Sequence, residues 1–486
     1  MFGKIKSLFL ENRTLRQTVF KNAFWLSVGN FGSRFIHAAI IIYAARILGA
    51  SEYGVFSYAL GLASFFVIFS DIGISQLLTR EVAKHPDKAR AYISTSFAIK
   101  IFFLASVIIL MLLIAPHFSK IPEAKTLIPI IAMLLIFDGL RNFGFAITRA
   151  QNRMELETLF TVLTDISITT ISFFVLFANP SAERLAWGYA AGSGLGLVML
   201  GLALRNWFKN LAADFDKKLV IPIISSAWPL AIVGLFSIFT IDIDTIIIGW
   251  FLNASDLGLY GVAQRPVQLI YALPALLATS LFPILSKLIH SKEVERVRAI
   301  NERSFAISFG LAIPLTFGGI VLGKQIIYAL FGAEYLGAVL TFQLLLFTVI
   351  LVSPEILLGN LFFAYGFRKI FIVAAALGAV TNVVFDFLFI PRYGIAGSVV
   401  ATILAHIAIL CCYWFKMRQI HSFKIIFRLS RIIPASLLMI VLTSILSRWG
   451  INVFLNIGIS ATTYFFFLYL FKEPLISEVK KVWKAA

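Results

Sequence analysis

The sequence predicts an all-α protein that crosses a membrane many times, and three observations predict it. Hydrophobic residues make up 60% of the 486 residues, charged residues make up 14%, and the mean hydropathy is +0.92. Fourteen apolar stretches, each long enough to cross a bilayer as an α-helix, alternate with short polar connectors. When charges at the ends of the stretches are counted with the adjoining connector, alternate connectors and both tails carry 31 of the 42 Lys and Arg residues, the remaining connectors carry 7, and the interiors of the stretches carry 4. The basic side is cytoplasmic by the positive-inside rule, so both termini are predicted to be cytoplasmic.

The predicted spans follow the changes in hydropathy along the chain. The N-terminal basic segment resembles the start of a signal peptide, but the stretch after it runs about 25 residues, carries Arg34 at its middle and lacks a small-residue cleavage site. We therefore expect a retained first helix. The fourteen spans are placed at residues 22–46, 54–79, 91–115, 126–148, 156–178, 185–207, 221–251, 258–285, 303–323, 338–362, 369–391, 394–415, 430–447 and 451–471.

An internal repeat divides the predicted bundle. Residues 47–59 align without gaps with residues 251–263, with five identical positions and Glu52 matched by Asp256. Both segments join an outgoing helix to a returning one, which makes spans 1 and 7 equivalent and predicts two six-helix lobes as a parallel repeat, plus helices 13 and 14. The predicted regions are a segment 1–21, an N-lobe 22–207, a linker 208–220, a C-lobe 221–415, a linker 416–429, a helix pair 430–471 and a tail 472–486.

The composition excludes several classes of function. A net charge of +18 would suggest nucleic acid in a soluble protein, but its position on one side of the membrane is explained by topology and by attraction to anionic lipid. We therefore expect no nucleic-acid partner. Cys411 and Cys412 are adjacent within a span, which suits neither a disulfide framework nor a spaced metal site. No connector is large enough to fold as a separate domain.

Charged residues inside the spans are the candidate functional residues. Each costs about 2.5 to 3.5 kcal/mol at the bilayer centre, so each needs an interior face, a partner or a function. We expect Lys100 and Glu355, near span ends, to extend towards the surface. Asp138 and Arg141, three residues apart, are predicted to form a structural ion pair. The candidates are Arg34, Asp71, Lys100, Asp138, Arg141, Asp165, Asp242, Asp244, Arg265, Glu355 and Asp386.

Two arginines indicate an anion site. Arg34 lies about twelve residues from either end of span 1, on a stripe with Ser33 and His37, and Arg265 enters span 8 just before Pro266. Two guanidiniums presented to one cavity between facing lobes would suit a phosphate or pyrophosphate. The alternative is that each pairs with an aspartate such as Asp71 or Asp138.

Polar residues of the second lobe indicate a cation site. Asn382 and Asp386 share a helix face, as do Ser398 and Thr402, and span 7 offers Asp242 and Asp244. Such oxygen ligands suit Na⁺, and a lone buried carboxylate could instead carry H⁺. The alternative is hydrogen bonding between helices. No other cofactor is predicted.

Four stretches carry a resemblance to a known family. They are residues 45–56 (ARILGASEYGVF), residues 71–75 (DIGIS) followed by residues 79–81 (TRE), residues 244–249 (DTIIIG) and residues 260–266 (YGVAQRP). With the fourteen spans divided 6+6+2, the chain resembles the polysaccharide-export flippases of the multidrug/oligosaccharidyl-lipid/polysaccharide (MOP) exporter superfamily.

The resemblance implies a flippase rather than an enzyme. Its substrate would be an oligosaccharide on a polyprenyl phosphate or pyrophosphate, turned from the inner to the outer leaflet by alternating access for cell-surface polysaccharide synthesis. In the related lipid II flippases, arginines in spans 1 and 8 serve the pyrophosphate, and Arg34 and Arg265 match them; we place Asp71 at the same headgroup site. The acidic residue that follows the first arginine there is Phe35 here, which argues against lipid II.

The resemblance also implies a sodium site, which would draw on Asp244, Asn382, Asp386, Ser398 and Thr402, with Asp242 the less favoured span 7 ligand. Two rival functions remain, a cation-coupled multidrug antiporter of the same superfamily and a membrane-embedded glycosyltransferase or ligase. We expect a monomer in the cell membrane, in contact with lipid and with polysaccharide polymerase or export proteins as candidate partners.

Overall fold

A computed structural model describes residues 15–420, 423 and 425–471. The predicted tail 472–486, most of the segment 1–21 and three positions of the linker 416–429 lie outside the described residues. Helices dominate the described residues, which include no strand. The α-helices are α1 Leu15–Asp71, α2 Ile74–Lys84, α3 Ala89–Phe118, α4 Pro122–Ala150, α5 Met154–Ala178, α6 Ala182–Ala203, α7 Val220–Ile241, α8 Ile243–Phe251, α9 Ala254–Ile270, α10 Ala272–His290, α11 Val294–Phe331, α12 Val339–Ala364, α13 Arg368–Met417, α14 Ile425–Arg448 and α15 Val453–Leu470.

Eleven helical stretches within the described residues are long and apolar enough to cross a membrane. The protein is therefore a multi-pass helical membrane protein. Two of the eleven each cover two predicted spans, because the chain turns inside them at a glycine: Gly49 in α1 has φ 74° and Gly394 in α13 has φ 60°. A positive φ cannot continue a right-handed helix, and glycine adopts it without the steric cost of a Cβ.

Large apolar side chains on the outside of the bundle are explained by lipid. Phe102, Leu113, Phe174, Phe177 and Leu202 are 64% to 76% exposed. In water, so many exposed apolar side chains would form a contact or aggregation surface. On helices of membrane-spanning length, they are instead the surface that meets the hydrocarbon chains.

The described chain divides into two compact units, Met1–Gly258 and Leu259–Ala486. This division falls within α9, whereas the predicted linker 208–220 lies inside the first unit. The core of the first unit includes Leu78, Ile93, Phe143 and Phe160, and Ile223 of α7 packs into the same cluster. Because α7 packs on the preceding helices, the residues after the predicted linker belong to the same compact unit.

The two copies of the internal repeat contact each other reciprocally within the first unit. A Cβ added at Gly54 would overlap the carbonyl oxygen of Ala254, and one added at Gly258 would overlap that of Ala50. Gly54 aligns with Gly258 in the repeat, and Ala50 aligns with Ala254. The contact is therefore related to itself by exchange of the two copies, and only glycine permits the close approach of the backbones.

The second unit contains a core and a separate helix pair. Phe305, Phe362, Ile409 and Tyr413 lie in one buried cluster. Helices α14 and α15 form a further apolar cluster, and the Tyr464 hydroxyl of α15 donates a hydrogen bond of 2.6 Å to the carbonyl of Gly310 in α11. This bond ties the terminal pair to the rest of the second unit.

The glycine contact generates a prediction. Gly54→Ala will lower the stability of the protein by at least about 1 to 3 kcal/mol, the usual cost of overpacking, because its methyl group meets backbone rather than a movable side chain. Gly201→Ala is the matched control, since a Cβ there meets no atom within 4 Å. The midpoint temperature of thermal unfolding is measured for both purified variants, with size-exclusion chromatography of heated samples as the readout. Equal midpoint temperatures for the two variants would contradict the packing.

Candidate functional site

Arg34 lies near the middle of the first arm of α1, and its side chain is exposed. Ser33, beside it, donates a short hydrogen bond to the carboxylate of Asp165 on α5. His37, one turn further along, has its Nε2 3.4 Å from the hydroxyl of Tyr189 on α6. The polar stripe of α1 is thus fixed on both sides of Arg34 by contacts with α5 and α6.

A second arginine of the first unit, Arg141, is bound within a polar cluster. Arg141 of α4 places Nη2 2.9 Å from Oδ1 of Asp138 and donates from Nη1 to the hydroxyl of Ser193 on α6 at 2.9 Å. Ser193 itself donates to Asp138, and Asp165 interacts electrostatically with both charged residues. The three-residue spacing on one helix explains the pair, and Ser193 and Asp165 extend it across three helices.

Asp71 stabilises the break between α1 and α2 by hydrogen bonds to Ser75. After Asp71, Ile72 and Gly73 both have positive φ, and α2 begins at Ile74. One carboxylate oxygen of Asp71 accepts from the backbone N–H of Ser75 at 3.0 Å, and the other accepts from the Ser75 hydroxyl at 2.6 Å. The residues 71–75 that carried part of the resemblance therefore form a capped helix start.

Lys100 completes this arrangement and corrects one expectation. Its Nζ lies 2.9 Å from Asp71 Oδ2, and the lysine side chain is 1% exposed. It does not extend to the membrane surface, because Asp71 offers it a carboxylate inside the bundle. The predicted role of Asp71 at the headgroup site remains a prediction.

Arg265 lies in the second unit, on α9, and is half-buried. Its Nε is buried and has no hydrogen-bond partner, and Arg265 is absent from the ion pairs formed within the described part of the chain. A guanidinium with an unpartnered, buried N–H is suited to bind an anion. The carboxylates of Asp71 and Asp138, which the sequence offered as alternative partners, are paired with Lys100 and Arg141 within the first unit.

The remaining polar residues of the second unit lie on the two arms of α13. Gly378 of the first arm packs against Ile409 and the carbonyl of Ala405, and Gly397 packs against the backbone of Phe389 just across the turn. The arms are therefore antiparallel neighbours. This pairing puts Asn382 level with Thr402, and Asp386 level with Ser398.

These four side chains are buried. Asn382, Asp386 and Ser398 are 0% exposed and Thr402 is 7% exposed. Neither polar atom of the Asn382 amide nor the Ser398 hydroxyl has a hydrogen-bond partner in the described part of the chain. Buried polar atoms are rarely left without a partner, which makes these side chains candidate ligands for a cation.

Asp242 and Asp244 lie in the first unit at the break between α7 and α8. Asp242 is the residue that precedes α8 and is half-buried, whereas Asp244 is in the first turn of α8 and 1% exposed. No group of three or more His, Cys, Asp or Glu side chains among the described residues could hold a metal ion. A cation site would therefore depend on amide and hydroxyl oxygens as well as carboxylates.

The sequence reasoning missed Ser33, Asp165 and Ser193 as members of the first unit's polar cluster. Asp165 stood among the intramembrane charges, and Ser33 stood on the stripe of Arg34, so the residue types were visible. The helix faces that bring them together depend on how α1, α4, α5 and α6 pack, which the sequence periodicity does not give.

Comparison with known sequences identifies the class of protein. Residues 19–289 match the family described as "Polysaccharide biosynthesis protein", and residues 229–388 match the MatE family. "Probable low-salt glycan biosynthesis flippase Agl15" of Haloferax volcanii is 23% identical over 370 residues, which cover 75% of this chain and 76% of the relative. "Probable flippase AglR" of the same organism is 24% identical, with 77% and 78% covered.

Comparison with solved structures shows the fold. The inward-closed structure of the lipid II flippase MurJ superposes with a TM-score of 0.78 at 18% identity, covering 93% of this chain and 99% of that one. Fold and relatives together define a membrane transporter, not an enzyme. The chain belongs to the polysaccharide biosynthesis protein family, and its expected membership of the polysaccharide flippases of the MOP superfamily is confirmed.

The buried ion pair of the first unit generates a prediction. Lys100→Met will destabilise the protein by about 3 kcal/mol, because it leaves the Asp71 carboxylate without its buried cation. The double variant Asp71→Asn with Lys100→Met will recover much of this loss. Lys88→Met, on an exposed connector, is the control. Thermal unfolding in detergent measures all four proteins, and a double variant no more stable than Lys100→Met would contradict the pairing.

Proposed function

We propose that this protein flips a polyprenyl-(pyro)phosphate-linked oligosaccharide from the inner to the outer leaflet of the cell membrane. Family membership and relatives named as flippases support this at the level of the substrate class. The observation that carries it is that Arg34 is exposed in mid-span while Arg265 has a buried, unpaired Nε. A buried guanidinium nitrogen without a partner needs an acceptor, the exposed Arg34 is accessible to a ligand, and a lipid phosphate supplies acceptor oxygens for both.

The polarity of these residues favours an anionic substrate over the cationic drugs of an antiporter. Three of the intramembrane carboxylates, those of Asp71, Asp138 and Glu355, already have positively charged or imidazole partners. We propose that Arg34 and Arg265 bind phosphate oxygens, for which the planar guanidinium is suited. The polyprenyl chain stays in the lipid.

We further propose the finer topology that the sequence predicts. It has fourteen spans in two six-helix lobes and a terminal pair, with both termini in the cytoplasm. The chain acts as a monomer, and polysaccharide polymerase or export proteins receive its product. The positive-inside distribution of Lys and Arg supports the orientation.

We propose sodium as the coupling ion, held in the second unit by Asn382, Asp386, Ser398 and Thr402. Their burial and the unpaired atoms of Asn382 and Ser398 support this assignment. One carboxylate with amide and hydroxyl oxygens is a donor set suited to a hard monovalent cation. The contribution of Asp244 stays a prediction. Bound sodium would supply a positive charge that neutralises Asp386.

The anion site is tested by substitution of the arginines. Arg34→Ala and Arg265→Ala will each slow flipping of a fluorescent polyprenyl-pyrophosphate oligosaccharide in vesicles about 10- to 100-fold, because each removes a charge-assisted hydrogen bond of about 1.5 to 3 kcal/mol. Arg34→Lys will keep part of the activity. Arg153→Ala, on an exposed connector, is the control. Wild-type rates in both alanine variants would refute the proposed function.

The sodium site is tested in the same vesicles. Wild-type flipping will respond to an imposed sodium gradient, and Asp386→Asn will abolish that response because the amide cannot neutralise the ion. Glu302→Gln is a control in the same unit, where Glu302 pairs with Arg298 on a basic segment. Flipping that ignores sodium in the wild type would argue against the ion, and an unchanged response in Asp386→Asn would argue against this residue.

A further inference from the structure

A second titratable pair lies inside the second unit. His406 Nδ1 of α13 is 2.7 Å from Oε2 of Glu355 on α12, and their side chains are 10% and 18% exposed. The expectation that Glu355 reaches the membrane surface is wrong. It lies nine residues before the end of α12, about 14 Å along the helix, which is further than a glutamate side chain reaches. His406 satisfies its carboxylate instead.

The surroundings of this pair are mainly apolar. Leu358 and Ile409, which lie within one turn of the pair, belong to the hydrophobic core of the second unit, and Ile356, next to Glu355, packs against that core. The hydroxyl of Tyr413, two turns along α13, interacts electrostatically with the Glu355 carboxylate. Cys412 adjoins Tyr413 and interacts electrostatically with it.

The other helices packed on α12 bring few charges to this level. The bond of Thr316 to the Leu346 carbonyl sets the pairing with α11, where Arg303 is the nearest charged residue, about one turn away. The hydrogen bond of Asn360 to the Ala278 carbonyl aligns α12 with α10, and the nearest titratable group on that side is Tyr271, the residue that precedes α10. On the first arm of α13, the nearest charged residues are Lys369, about two turns away, and Asp386.

The pair continues the polar face of α13. Ser398, Thr402 and His406 follow at intervals of four residues and so share one helix face. His406 therefore lies about 6 Å along the helix from Thr402 and about 12 Å from Ser398. The hydrogen-bonded pair of Glu355 and His406 thus lies at one end of this polar face, and the candidate cation site lies at the other end.

We propose that Glu355 and His406 together bind one proton and form a proton site in the second unit. With a neutral imidazole and an ionised carboxylate, the pair carries one negative charge. One added proton makes it neutral overall, as imidazolium and carboxylate, and its release restores the negative charge. Both states keep the hydrogen bond, because His406 Nδ1–H donates in each.

Proton binding by this pair does not require flipping, whereas any effect on transport rests on the proposed function. The test therefore uses the purified full chain in lipid nanodiscs. Its proton uptake is measured with a pH indicator between about pH 5 and 8. His406→Gln and the double variant will each take up about one proton fewer than the wild type. Glu355→Gln, which keeps the imidazole, will take up that proton only at a lower pH, because the carboxylate that faces the imidazolium is gone. His117→Gln, whose ring bonds to a carbonyl of its own helix, gives for comparison the uptake that is lost with a histidine outside the pair.

A second measurement leaves the pair intact. In a chain that keeps His406 and replaces the other five of its six histidines with glutamine, ¹⁵N NMR of the labelled imidazole reports its protonation directly. We expect it to change from cationic to neutral over the same range. A ring that stays in one protonation state, or equal uptake by the wild type and the pair variants, would overturn the proposal. An inactive flipping assay would affect neither result.

Discussion

A charge inside a hydrocarbon layer needs a partner, and this constraint organises the interior of both units. No water is available there to solvate an ion, so an unpaired one costs several kcal/mol. Lys100 is satisfied by Asp71, Arg141 by Asp138, and Glu355 by His406. Two of these three pairs join different helices. Because each charge must find its partner inside the bundle, these pairs also determine which helix faces pack together.

The same constraint explains how the arginines can be sorted. Arg141 is absorbed by Asp138 and Ser193 within the first unit. Arg34 is exposed in mid-span, and Arg265 retains a buried Nε without a partner. A buried guanidinium nitrogen without an acceptor is not stable in hydrocarbon, so Arg265 is the arginine suited to bind an anion, whereas the exposed side chain of Arg34 is accessible to a ligand. The sorting rests on partners and exposure rather than on the positions of the residues in the spans.

Much of the fold could be predicted from the sequence, because hydropathy and charge report directly on the bilayer. The turns near Gly49 and Gly394 fall between predicted spans. The break at Ile72 and Gly73 was not predicted, since it depends on hydrogen bonds from Asp71 to Ser75 rather than on polarity. The pairing of residues 50 and 54 with residues 254 and 258 was also invisible, although the repeat itself was not.

The candidate site was predictable in residue types but not in partnerships. The spacing of Asp138 and Arg141 on one helix is local information, and the structure pairs them. Lys100 and Asp71, or Glu355 and His406, are far apart along the chain, and helix packing alone decides whether they meet. Distance from a span end therefore misled for Lys100 and Glu355, because a buried partner is available before the surface is reached.

The turn in α13 has an electrostatic consequence for the two sites proposed in the second unit. By folding one helix back on itself, it aligns Asn382 and Asp386 with a face that ends at His406. A sodium ion at the first end and a proton at the second would be about 10 Å apart. At an effective dielectric constant of about 20, two unit charges at that separation repel by roughly 1.7 kcal/mol. This corresponds to more than a tenfold change in affinity. If both sites bind their ions, occupancy of one would oppose occupancy of the other, and this face of α13 would favour one added positive charge at a time.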